Sequence, residues 1–156
     1  MFQKPDFLSD YEFQVLQRTN DGLGIKEIAE LLGKSESNIR KTRSVIRKKI
    51  EKELKKVADT LRLDTETRNI PRGTGIPALL IGYDWVNDTH VYLILTGDGV
   101  IAWYEHECSD KCKSECQMTL NQIRREHRIE LNHKTENKSP MDQFRFIIAR
   151  IKGEGG

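Results

Sequence analysis

Two groups of residues have the types and spacing that chemistry needs. In "EHECSDKCKSEC", Cys108, Cys112 and Cys116 recur every four residues and His106 stands just ahead of them. Three thiolates and an imidazole are a tetrahedral donor set for zinc, the one cofactor the residues suggest. On a helix that spacing would set the thiols along one slowly rotating face, and a loop would bring them together more readily. The pattern lacks the C-x2-C knuckle of common structural zinc sites, and His90 or His127 could replace His106 as the fourth ligand. Lys111 and Lys113 favour thiolates, so a disulfide switch is a second chemistry. A third reading makes the cysteines small, partly buried side chains without ligand chemistry.

The second group is the run "LGKSESNIRKTRSVIRKKIEKELKK". From Lys34 to Lys56 it holds ten lysines and arginines against three glutamates, although the 156-residue chain has a net charge of only +2. Charge so concentrated on one helix-length segment points to a local contact with a polyanion. Lys34, Ser35, Ser37, Asn38, Arg40, Lys41, Arg43, Ser44, Arg47 and Lys48 are the candidate DNA-binding residues. Among them Arg40, Lys41, Arg43 and Arg47 suit phosphates or guanine edges, and Ser37, Asn38 and Ser44 suit base readout.

Helices must position these side chains. Ser9 and Glu12 have capping-box spacing, with Leu8 and Phe13 as a hydrophobic staple, so a helix is predicted over about 10–20. After "NDGLG", Ile25, Ile28, Ala29 and Leu32 form the apolar stripe of a short second helix, which Gly33 ends. Ser35 or Ser37 caps a third helix, expected from about Glu36 to Leu61, with Ile39, Val45 and Ile46 facing inward. Two helices joined by a short turn, with a small residue inside and glycine at the corner, are a helix-turn-helix.

The segment "LSDYEFQVLQRTNDGLGIKEIAELLGKSESNIRKTRSVIRKKI" resembles the LuxR-type and sigma-factor-region-four class of helix-turn-helix. With its continuation "EKELKKVADTL" it is similar to the N-terminal domain of the archaeal Tfx family of DNA-binding regulators. The resemblance covers about residues 7–61 and does not extend beyond Gly75. It implies binding to double-stranded DNA and transcription regulation, with RNA polymerase a further candidate partner. The charged fraction of 32% and this resemblance are compatible with an archaeal source.

Ile50, Leu54, Val57 and Leu61 continue the basic helix as an a/d seam, which pairs two subunits or docks on the chain's own second half. A homodimer is the expectation, because two reading helices address half-sites about 34 Å apart. Residues 62–76 read as a linker and 154–156 as a tail. Between them, residues 77–153 read as a small α+β domain for sensing or dimerisation, with three antiparallel strands and two helices over "TLNQIRREHRIEL" and "SPMDQFRFIIARIKG". The expected class is therefore α+β, with an all-α domain over residues 1–61.

Other functions are weaker readings. Asp84, Asp98, Glu105 and Glu107 could hold a divalent ion in a DNA-processing enzyme, but carboxylates collect at strand ends for ordinary reasons, and the expectation is a non-enzyme. "RGTG" and "GDG" lack the rest of a phosphate-binding fingerprint. Trp85, Trp103, Tyr83, Tyr92 and Tyr104 line a ligand cleft or simply pack a sheet. The longest apolar run, "IPALLI", is far below the roughly 18–20 residues of a membrane span, and the start lacks a signal-peptide core, so a cytoplasmic location is expected.

Overall fold

The computed structural model describes residues 3–65, 78–105 and 113–151. The first helix, α1 (Asp10–Asn20), begins where the capping box places it: Glu12 N–H donates to Ser9 Oγ at 3.1 Å, and Ser9 N–H donates to Glu12 Oε1 at 2.8 Å. Next, α2 (Ile25–Leu32) ends at Gly33, whose φ of 64° is left-handed, a conformation glycine adopts without steric cost. Ser35 Oγ then accepts from Asn38 N–H and starts α3 (Glu36–Thr60), 25 residues long and about 37 Å at 1.5 Å per residue.

Beyond α3 lies an antiparallel meander: β1 (Asp64–Thr65), β2 (Leu79–Asp84), β3 (Thr89–Thr96) and β4 (Gly99–Tyr104), in that spatial order. The sheet thus has four described strands, not three. The extra one, β1, falls inside the expected linker, where Leu63 turns into the core and lets Asp64 and Thr65 pair with Tyr83 and Gly82. Gly82 is required there, since a Cβ would stand 2.9 Å from Leu63 Cβ.

Period-two alternation divides the strands between two cores. Leu80, Val91, Leu93 and Leu95 face α3 and the helical head. On the opposite face Leu79, Ile94 and Trp103 meet α4 (Lys113–Glu126) and α6 (Pro140–Ile151), which supply Leu120, Ile123, Phe144, Ile147 and Ile148. A four-residue helix, α5 (His133–Glu136), precedes α6, so the second half has three described helices rather than two. The result is three layers, helix–sheet–helix, within an α+β architecture.

The seam of α3 is covered by the chain itself. Ile50, Leu54 and Ala58 are fully buried in the core they share with the sheet, with Val57 and Leu61 packed beside them. Burying each such isoleucine or leucine contributes about 1.5–3 kcal/mol, and this surface is not open to a coiled coil. Among the described residues no helix is long and apolar enough to cross a membrane.

Candidate nucleic-acid interface

The first half of α3 is seated on α1 and α2 by two buried side chains. Ile39 and Ile46, two turns apart, are fully buried against Ile28 and Ala29 of α2 and Val15 and Leu16 of α1. Val45 does not join them. It lies about 100° round the helix from Ile46 and is 44% exposed, a correction to its expected inward place.

On the outer face Lys34, Ser35, Ser37, Asn38, Arg40, Lys41, Ser44 and Lys48 are exposed, and Arg43 and Arg47 are half-buried. All ten candidate DNA-binding residues therefore lie on one turn and one helix. Burial, then the neighbouring Arg47 charge, lowers the Arg43 pKa from its ordinary value. Ser35 also spends its hydroxyl on the helix cap, so it is a structural residue as well as a contact candidate.

Two residues outside the predicted set shape this surface. Tyr11, on α1, donates its hydroxyl to Asn38 Oδ1, and the Lys34 ammonium sits 5.5 Å from the centre of its ring. Asn38 is thereby held with its amide NH2 as the open end, a donor suited to purine N7 or a phosphate. Glu12 performs the second task. Its carboxylate accepts from Lys49 Nζ at 2.7 and 2.9 Å, which turns Lys49 inward and leaves Lys48 to the outer face. Burial raises the Glu12 pKa, but the Lys49 hydrogen bond and the Ser9 backbone N–H outweigh it and hold the carboxyl below its ordinary range.

The second candidate cluster is only partly within reach. His106, Cys108 and Cys112 lie outside the described residues, as do Glu107 and "RGTG". Cys116, in the first turns of α4, is half-buried beside the second core and is disulfide-bonded. A sulfur held in a disulfide offers no thiolate, so at Cys116 the disulfide and a metal bond exclude each other.

The alternative histidines are far apart along β3. His90 stands exposed at one end, 3.6 Å from Glu105. His127 bonds through Nε2 to Leu95 O near the other end at 2.7 Å, and burial lowers its pKa. No group of three or more His, Cys, Asp or Glu among the described residues is arranged to hold a metal ion.

The carboxylates of the enzymatic alternative are likewise dispersed. Asp84 accepts from Val86 N–H and Asn87 N–H in the β2–β3 turn, Asp98 accepts from Gln122, and Glu105 faces His90. The aromatic residues do not form one cleft. Trp103 stacks on Phe144 with 4.7 Å between centroids, Tyr92 meets the same ring edge-on, and Tyr104 packs on the α3 side. Tyr83 and Trp85 pair at the β2–β3 turn. Comparison with family models, curated proteins and solved structures found no match for this chain.

Proposed function

We propose that this protein is a sequence-specific regulator of transcription that reads double-stranded DNA with the first half of α3, acting as a homodimer. The observation that carries the reading is the segregation on that half-helix. Isoleucines at 39 and 46 are fully buried, while Lys34, Ser37, Asn38, Arg40, Lys41, Ser44 and Lys48 are exposed and Arg43 and Arg47 are half-buried. A helix with this division fits the major groove, where phosphate contacts fix register and side-chain amides and guanidinia read base edges. The similarity of residues 7–61 to Tfx-type and LuxR-type helix-turn-helix domains supports the same conclusion. The cysteine-bearing half is then the input side, where reduction of the Cys116 disulfide, or a metal taken up by Cys108, Cys112 and Cys116 once reduced, alters the placement of the heads.

A second reading is an interaction module that touches DNA only within a larger assembly such as RNA polymerase. The β2–β3 turn favours it, presenting Trp85 and Val86 at 72% and 92% exposure. Selection of the purified protein against a random duplex pool at two salt concentrations separates the two, with the Arg40→Ala, Lys41→Ala double variant as control. Enrichment of a short palindrome that the control loses supports the regulator. Salt-sensitive binding without an enriched sequence supports the module.

A further inference from the structure

Burial of the α3 seam removes the dimerisation surface that the sequence offers first, and β4 supplies another. Hydrogen bonding fixes which way each of its peptide groups points. Glu105 N–H donates to His90 O at 3.0 Å, and the register continues as Tyr92↔Trp103, Ile94↔Ile101 and Thr96↔Gly99. In an antiparallel ladder alternate residues turn their N–H and C=O to opposite sides. Gly99, Ile101 and Trp103 therefore bond to β3, and the peptide groups of Val100, Ala102 and Tyr104 face outward. Among the described residues these outward groups have no hydrogen-bond partner, and β4 is the last strand of the sheet.

Proteins guard such edges with charge, proline, a bulge or extreme shortness. The opposite edge, β1, is two residues long and carries Asp64, to which Trp85 Nε1 donates at 3.2 Å. β4 is "GVIAWY", six residues with no charge and no proline, paired with β3 in unbroken register.

We infer that β4 pairs with β4 of a second copy, antiparallel about Ala102, so that two four-stranded sheets join into one of eight strands. Ala102 would oppose Ala102 of the partner subunit, and the outward groups of 100, 102 and 104 would meet those of 104, 102 and 100. A second copy is the fitting occupant because the row of donors and acceptors is self-complementary under a two-fold axis, and the edge is neutral, so the copies do not repel. That axis stands perpendicular to the sheet. Opposed residues keep their side chains on the same face, which places both α3 helices and both heads on one side of the joined sheet, as a palindromic duplex requires.

Only this last consequence rests on the DNA-reading proposal. Sedimentation equilibrium of the full chain, combined with residue-resolved amide hydrogen exchange, tests the pairing on the unaltered protein. A concentration-dependent dimer is expected, in which amides 100, 102 and 104 gain protection on dimerisation while 101 and 103 are protected throughout. Ala102→Pro removes one outward donor and no β3 bond. With its circular dichroism unchanged, it should remain monomeric, retain binding to a single half-site and lose the preference for a palindrome. If the variant does not fold, the exchange pattern of the unaltered protein decides. A chain that stays monomeric both free and on DNA, a dimer whose 100, 102 and 104 amides exchange freely, or a dimer that survives a folded Ala102→Pro overturns the inference. Dimer and protection without any duplex binding would instead sink the DNA-reading proposal and leave the pairing standing.

Discussion

Lys48 and Lys49 are adjacent in sequence and should behave oppositely when each is replaced by alanine. Lys48 is exposed on the outer side of α3, whereas Lys49 reaches Glu12 across the junction with α1 at 2.7 Å. Four cations are exposed on the outer side, Lys34, Arg40, Lys41 and Lys48, while Arg43 and Arg47 are half-buried. If each exposed cation neutralises one phosphate, log Kobs falls against log salt with a slope of about −4 per head, a loss of about 10²-fold in affinity between 50 and 200 mM salt. Lys48→Ala should make the slope shallower by about 0.9 and leave the melting temperature unchanged. Lys49→Ala should leave the slope alone but destabilise the fold by about 1–2 kcal/mol, because Glu12 is only 12% exposed and loses its charged partner, while the 41% exposure of Lys49 moderates the effect. Fluorescence anisotropy on a fixed duplex across a salt series, beside urea denaturation, measures both quantities. Equal slope changes for the two variants, or a slope near zero in the unaltered protein, would refute the assignment of α3 to the phosphates.

Tyr11→Phe removes the donor that orients Asn38 and should relax base preference at one position in a selection experiment without changing the salt slope. Leu54→Ala should cost about 2–5 kcal/mol in urea denaturation because the side chain is fully buried under the sheet, yet leave the dimerisation constant of the folded fraction unchanged. A variant that dissociates without losing stability would show the seam to be intermolecular. Stability should also fall as pH drops below about 6.5, because burial depresses the His127 pKa and the unfolded chain takes up a proton that the folded chain refuses. At lower pH the depressed carboxyl of Glu12 adds a second loss in the same direction, present above its unfolded pKa and gone once pH falls through its folded one. Denaturation of His127→Gln across that range should show the first limb flattened.

Local signals gave the helices because their ends are decided by local bonds. The Ser9–Glu12 box, the left-handed Gly33 and the Ser35 cap each act within a few residues, and α1, α2 and the start of α3 lie where those signals put them. The runs "PALLIGYDWV" and "HVYLILT", bounded by tight-turn sequences, identified strands for the same reason, whereas β1 has only two residues and therefore too little to read as a strand. The inward placement of Val45 failed because a neighbour of a buried isoleucine lies about 100° away on a helix. What covers the α3 seam was not legible, since apolar spacing is blind to whether the cover is the same chain or another. Tyr11 was missed because its partner Asn38 is 27 residues away and only the packing of α1 on α3 brings them together. Glu12 was legible as a cap but not as the partner of Lys49, for the same reason.

Because α3 carries its exposed basic face on its first half and the buried seam on its second, the two halves find their packing partners at different times during synthesis. Translation delivers Ile50 and Leu54 about 40 residues before Val91–Leu95, which at about 5–20 residues per second leaves the seam without its sheet for seconds on every ribosome. A nascent chain halted after α3 presents an apolar stripe on a strongly basic rod. Chaperone capture of that intermediate, and rapid proteolysis of chains truncated before β3, are the cellular costs of joining both tasks in one uninterrupted helix.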